Sequence, residues 1–286
     1  MRIVSLLPAA TEIVLALGLG EELAGVTHHC EVPPGAGDPL VVTRRGLPGT
    51  PDELDEAALD EADPELVIAG DGEDGLVGAR VIEARYAGAD TKPSFLALAP
   101  STVEGVLNGI VAVGAMTEAE DEALGVVEGL RERLKGLEEI VMGRRDHGFA
   151  PPRVVLLGAV DPPRTVGRWI PDMVRLAGGW ELLGQPGERP VATSWDAVRD
   201  MDPEVLVLLP GGLPLREGVR VWESAPRPEA WADLRAVREG RAFIVDGGCF
   251  VLAGPGVIDG IEVLAELIDP AAFDGMSPPG TWTPTS

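Results

Sequence analysis

Short runs rich in Val, Ile and Leu alternate along the chain with amphipathic stretches. Ile3–Leu7, Ala24–Thr27, Leu66–Ala69, Phe95–Leu98, Val154–Ala159, Val205–Leu209 and Ala242–Val245 read as strands. Between them, Thr11–Leu17, Pro51–Glu61, Gly75–Ala87, Trp169–Leu176, Trp195–Met201 and Ile258–Ile268 place apolar residues at helical spacing. Near-continuous apolar strands separated by helices predict α/β architecture with buried parallel sheets. One segment breaks the alternation. Glu118–Val141 is a long helical pattern carrying i,i+4 charge pairs, with no strand behind it.

That helix divides the alternating region into two near-equal halves, and the halves resemble each other. Arg2-Ile3-Val4-Ser5-Leu6 opens the first and Arg153-Val154-Val155-Leu156-Leu157 the second. Leu17-Gly18-Leu19-Gly20-Glu21-Glu22-Leu23-Ala24-Gly25 has its counterpart in Leu176-Ala177-Gly178-Gly179-Trp180-Glu181-Leu182-Leu183-Gly184. Asp63-Pro64-Glu65-Leu66-Val67-Ile68 matches Asp202-Pro203-Glu204-Val205-Leu206-Val207, each proline ending a helix before a buried strand. Three matches in one order predict two lobes of one topology: an N-terminal α/β lobe over 1–116 and a C-terminal one over 147–275, joined by a helix over 117–146. The Pro/Thr-rich end, 276–286, is expected to be a flexible tail. Two such lobes imply a small-molecule cleft between them.

Composition narrows the partners. The 286 residues carry 47 Asp+Glu against 23 Lys+Arg, a formal net charge of −24, while 45% are hydrophobic. Enough apolar surface is present to offset ordering entropy, so general disorder is excluded. The acidity argues against nucleic acid and anionic membranes, which need cationic patches. Two lysines stand against twenty-one arginines. This balance fits either a salt-rich cytoplasm or a GC-rich genome with ordinary solubility charge. No apolar stretch reaches membrane-spanning length, so no membrane insertion is expected. The N-terminus lacks the pattern of a signal peptide, so a cytoplasmic location is expected, or a periplasmic or extracellular one for a chain trimmed of an export signal.

In open parallel sheets, ligands contact loops at the carboxyl ends of the strands, which nominates five. The first begins at Pro8, where helix N–H groups can receive an anion or merely start a helix. The second, Thr27-His28-His29-Cys30-Glu31-Val32-Pro33-Pro34, concentrates two of three histidines and one of two cysteines. Imidazole and thiolate suit zinc, copper or cobalt, and in extended chain His28 and Cys30 share a face while His29 points elsewhere. No CxxC or HxxxH completes a structural zinc set, so ligand contact, metal ligation, loop packing and a Cys-His nucleophile pair all stay open. Gly70-Asp71-Gly72-Glu73-Asp74-Gly75 has the form GxGxxG, but its acids would repel a pyrophosphate; its glycines fit close backbone approach instead. The fourth loop offers Arg168 beside Trp169, suited to a flat or acidic ligand, with a core tryptophan as the alternative. The fifth carries Cys249 and Phe250. Trp180, Trp222 and Trp231 are expected in the core.

The opening RIVSLLPAATEIVLALGLGEELAGVTHHCEVPP resembles the cobalamin-binding proteins of vitamin-uptake ABC transporters, which share their fold with iron-siderophore and haem binding proteins. DPELVIAG, DPPRTVGRWIPDMVRLAGG, SWDAVRDMDPEVLVL and FIVDGG…GPGVIDGIEVLAEL extend the likeness over nearly the whole chain. The resemblance implies the class III periplasmic-binding-protein fold: two lobes with parallel-sheet, Rossmann-like cores joined by one long α-helix. It also implies a small-molecule ligand, a corrinoid or other metal chelate, held in the interlobe cleft. Trp169 would stack on it, Arg168 or Arg44 would pair with its acids, and the His28/Cys30 loop would approach the metal. The branch without export signals reads His-Glu-Cys-Asp-Tyr-Pro where this chain has His28-His29-Cys30-Glu31-Val32-Pro33. An ABC permease is the implied partner if the chain is exported, with Glu73 and Glu83 as docking candidates. The alternative is a cytosolic enzyme reusing the fold, with Cys30 and His28 reactive.

Overall fold

The computed structural model describes residues 1–47, 50–72, 76–89 and 91–285. The chain divides into two compact units. The first is Met1–Ala99 with Leu107–Gly129 and Ala253–Pro255; the second is Pro100–Val106 with Leu130–Leu252 and Gly256–Ser286. The division passes inside the long helix, between Gly129 and Leu130.

In the first unit, strands β1 (Ile3–Ser5), β2 (Leu23–Val26), β3 (Leu40–Val41), β6 (Leu66–Ala69) and β7 (Ser94–Ala97) form a parallel sheet in the order β3-β2-β1-β6-β7. A two-stranded antiparallel hairpin, β4 (Thr43–Arg44) with β5 (Glu53–Leu54), follows β3. The helices are α1 (Pro8–Ala16), α2 (Glu56–Ala62), α3 (Ala79–Arg85) and, from Leu107 onward, α4 (Val103–Thr117). Every residue of β1 and β6 is buried, as apolar strands covered on both faces require. Helix α4 is absent from the expected pattern because Gly105, Gly109 and Gly114 dilute its apolar period. Gly114 has a packing reason, since a Cβ there would lie 2.4 Å from the Ala123 Cβ.

Helix α5 (Glu120–Asp146) runs 27 residues, and Glu118, at φ 57, separates it from α4. In the second unit, β8 (Arg153–Val160), β9 (Pro163–Thr165), β10 (Trp180–Glu181), β11 (Val205–Leu208), β12 (Ala242–Val245) and β13 (Trp282–Pro284) build a sheet ordered β10-β8-β11-β12-β13, with β9 antiparallel on β8. The end expected to be a flexible tail thus supplies an edge strand: β13 pairs antiparallel with β12, and Phe243 meets Trp282 edge-on at 5.4 Å. Helices α6 (Ile170–Leu176), α7 (Trp195–Asp200), α8 (Leu215–Ser224), α9 (Arg235–Arg238), α10 (Gly248–Val251), α11 (Val257–Ile268) and α12 (Pro270–Phe273) complete the unit. Its core gathers Trp195, Trp222 and Trp231, whose rings lie 4.6 to 6.2 Å apart. Trp180, expected in the core, sits on an edge strand and is 62% exposed.

The repeated motifs are the same devices in both units. Asp63 (φ 43) and Asp202 (φ 46) both adopt the left-handed conformation before their proline. The backbone N–H of Arg2 donates to the Glu65 carboxylate at 2.8 Å, and that of Arg153 to Glu204 at 2.9 Å. Each arginine side chain then reaches the aspartate, Arg2 to Asp63 at 3.1 Å and Arg153 to Asp202 at 2.6 Å. Gly18 (φ 75) and Gly178 (φ 91) likewise end α1 and α6 in a conformation that a Cβ disfavours. Among the described residues no helix is long and apolar enough to cross a membrane.

Candidate functional site

After β2 the chain turns, with the Cys30 N–H donating to the Thr27 carbonyl at 3.1 Å. The hairpin β4–β5 comes alongside this turn. The backbone N–H of His28 donates to Thr43 Oγ1 at 3.1 Å, and His28 Nδ1 lies 2.9 Å from the same oxygen. Pairing of Thr43 with Leu54 and of Arg44 with Glu53 brings Asp52, at the mouth of the hairpin, to the two imidazoles. His29 Nε2 lies 2.9 Å from Asp52 Oδ2, and His28 Nε2 lies 3.7 Å from Asp52 Oδ1. The two rings are 4.0 Å apart, tilted by 39°. Asp52 is additionally held by the Gly46 N–H at 3.4 Å, and its side chain is only 11% exposed.

Cys30 belongs to a different set. Its Sγ lies 3.0 Å from Thr11 Oγ1 and 3.2 Å from Thr27 Oγ1, and Thr11 Oγ1 is 2.8 Å from Ser5 Oγ. Ser5, Thr11 and Thr27 are all buried. Among the described residues, the group of His, Cys, Asp and Glu whose donor atoms lie close enough together to hold a metal ion is His28, His29 and Asp52, and it does not include Cys30. The reason is local. A tight turn, not extended chain, follows Thr27, so adjacent histidines converge instead of alternating. The same packing sets two hydroxyls against Cys30 where a nucleophile would need an imidazole.

The other nominated residues are dispersed. Pro8 begins α1, whose first-turn N–H groups of Ala10 and Thr11 turn back to the Leu7 carbonyl. Arg44 is 66% exposed and pairs with Asp55 at 3.3 Å. Gly70 bridges Gly78 in parallel and accepts from the Ala79 N–H at 2.9 Å, while Asp71 is exposed. Residues 73–75 of that loop, including Glu73, lie outside the described residues; Glu83 is exposed on α3.

In the second unit, the two nominated loops do meet, but with their aromatic rings turned inward. The Trp169 indole N–H donates to the Phe250 carbonyl at 2.8 Å; Trp169 is 7% exposed and Phe250 fully buried. Both rings are packed into the core, and the hydrogen bond anchors Trp169 to α10. Arg168 sits at φ 54, its carbonyl accepting from the Gly187 N–H at 2.9 Å. Cys249 Sγ lies 3.6 Å from the Asp246 carbonyl. One carboxyl in this unit is unusual: burial raises Glu181 to about 7, although the N–H groups of Gly184, Leu183 and Leu156 all donate to it.

Asp52 and Thr43 escaped the sequence-based expectations. Asp52 reads there as the start of an acidic helix face, and the two-residue strands that position it are too short to leave a periodic signal.

Residues 3–247 match the model of the periplasmic binding protein family, and the chain belongs to that family. The family is one of substrate-binding proteins, not of enzymes. An uncharacterised ABC transporter substrate-binding lipoprotein, YvrC, of Bacillus subtilis (strain 168) is 25% identical over 275 residues, covering 95% of this chain and 81% of the relative. The periplasmic vitamin B12 binding protein BtuF of Vibrio cholerae superposes with a TM-score of 0.72 at 21% identity, over 94% of this chain and 97% of its own. The periplasmic heme-binding protein RhuT from Roseiflexus sp. RS-1, in apo form, gives 0.69 at 21% identity, over 95% and 98%. At these identities the structures establish the α/β fold alone.

Proposed function

We propose that this chain is the ligand-capturing component of an ABC-type uptake system and that its cargo is a metal chelate, whether a corrinoid or another. The observation that carries the proposal is the convergence of His28, His29 and Asp52 at the carboxyl end of the first sheet. Imidazole and carboxylate are donors to transition metals, and open parallel sheets bind ligands at the carboxyl ends of their strands. The solved structures named for vitamin B12 and heme support a metal-bearing ligand as cargo. Burial of Trp169 and Phe250 moves the weight of recognition from the ring system to the metal.

The lipoprotein relative supports delivery to a permease and a membrane-associated place of action; the cytoplasmic expectation finds no support in it. Glu83, exposed on α3, remains a candidate for permease docking. Nothing favours the enzyme alternative.

Titration of the purified chain with cobalamin, cobinamide, hemin and a ferric catecholate tests the proposal. One-to-one binding of at least one, without turnover, is expected. Absence of any spectral or calorimetric change with all four would overturn it.

A further inference from the structure

We propose that His28, His29 and Asp52 coordinate a divalent transition-metal ion directly, as a three-donor site with positions left open for water or donor atoms of a ligand. The inference deepens the function proposed above, on which it rests for the role of this loop, by naming the class of metal centre that the loop accepts.

One donor atom from each residue lies within 4.8 Å of the other two. With metal–donor bonds of about 2.0–2.1 Å, tetrahedral donors stand about 3.3 Å apart and cis octahedral donors about 3.0 Å. The separations of 2.9 Å and 3.7 Å to the two Asp52 oxygens straddle these values. Side-chain rotation has to bring the three donors to these spacings from within 4.8 Å of one another, and both histidines sit on a turn.

An independent observation concerns His28 Nε2, a buried atom without a hydrogen-bond partner. Thr43 Oγ1 already accepts from the His28 backbone, and it can accept a second bond from Nδ1–H. That tautomer leaves a lone pair on Nε2 directed toward a carboxylate oxygen at 3.7 Å, too far for a hydrogen bond. Two electron-rich atoms facing each other in a buried place are stabilised by a cation between them. Thr43, itself buried, then acts as the outer-shell partner that fixes ring orientation and tautomer.

The donor set also selects the ion. Two imidazoles and one carboxylate suit Zn²⁺, Co²⁺ or Ni²⁺, whereas Mg²⁺ and Ca²⁺ favour all-oxygen shells. It further sets how many of its donors a given complex can use. A tetrapyrrole fills four equatorial positions and leaves only two on opposite faces. Three donors on one side cannot all reach such a metal. They can all reach a free ion or a chelate with three adjacent positions open.

The test is calorimetric titration of the full chain with Zn²⁺, repeated with Co²⁺ while following its visible ligand-field bands. One-to-one binding is expected, with Mg²⁺ and Ca²⁺ inactive. His28→Gln, His29→Asn and Asp52→Asn should each weaken Zn²⁺ by at least the roughly 10–100-fold that outer-shell changes cost, and Thr43→Val should fall within that range. Cys30→Ser should bind as the wild type does. Circular dichroism and thermal melts of each variant separate lost binding from lost folding, and exposed His29 gives the variant least prone to unfolding. Wild-type chain that binds no Zn²⁺, or binding abolished by Cys30→Ser and untouched by Asp52→Asn, would overturn the inference. If cobalamin or hemin binds and Zn²⁺ does not, the three-donor site falls while the proposed cargo class stands. If no ion and no chelate binds, both fall.

Discussion

The two units share their strand ladder and their local devices, yet their carboxyl-end loops differ in what they do with polar and aromatic side chains. In the first, a tight turn and a small hairpin gather two imidazoles and a carboxylate at partly exposed positions. In the second, the corresponding effort goes inward: Trp169 is bonded to the Phe250 carbonyl, and both rings are buried. A repeated framework thus carries an imidazole–carboxylate cluster on one unit's loops and a buried aromatic pair on the other's. The framework follows from short apolar strands and Asp-Pro-Glu stops. The imidazole–carboxylate cluster comes from the segment between residues 27 and 54, which has no counterpart among the repeated motifs.

The comparison breaks most visibly at Trp169 and Phe250. Truncating either to Ala should cost about 3–5 kcal/mol of stability, as for large aromatic core residues, measured by urea unfolding. A loss below about 1 kcal/mol with impaired ligand binding would return these rings to a contact role.

Glu181 gives the next effect. Its carboxyl titrates near 7 in the folded chain against an ordinary 4.5, so the folded state holds the proton more tightly than the unfolded one. Its contribution is fully present below pH 4.5 and is lost as pH rises through 7, a change of about 3 kcal/mol. Glu181→Gln should flatten that part of the stability–pH curve. Identical curves for variant and wild type would show that the three N–H donors hold the carboxylate charged.

The repeated module makes a smaller, paired prediction. Glu65→Ala and Glu204→Ala should each cost about 1–2 kcal/mol, because each removes a charge-assisted acceptor from a strand-opening N–H. The unfolding free energies should agree to within about 0.5 kcal/mol, allowing for local context. A pronounced disparity would mean that the sequence repeat is not an energetic one.

The same contrasts explain how much of the molecule is legible in its sequence. Most core strands are legible to within a few residues because they are continuous apolar runs, and the repeat is legible because Arg, Asp-Pro-Glu and Gly recur in order. Helix α4 was hidden by three glycines, and β13 by a Pro/Thr-rich composition that signals fraying unless an edge strand stands ready to pair. At the site, the His28–Cys30 cluster was visible as composition, but its direction was not. Side-chain orientation there depends on a turn and on Asp52, 23 residues distant from its partner His29. Long-range convergence of that kind leaves no local period.

The smallest expected effect concerns the acidic coat. With a net charge of −24, screening of self-repulsion should raise the melting temperature from low to molar KCl. A flat or falling curve would leave the acidity as a matter of solubility alone.

The most direct measurement compares the two units as binding surfaces. Calorimetric titration of a metal-bearing ligand, taken from those that the wild-type chain binds, is run against His28→Gln/His29→Asn and against Arg168→Ala/Cys249→Ser. Affinity reduced more than about 100-fold in the first, beyond the range of outer-shell changes, and no more than a few-fold in the second is the predicted result. The reverse ranking would contradict the assignment of metal recognition to the first unit.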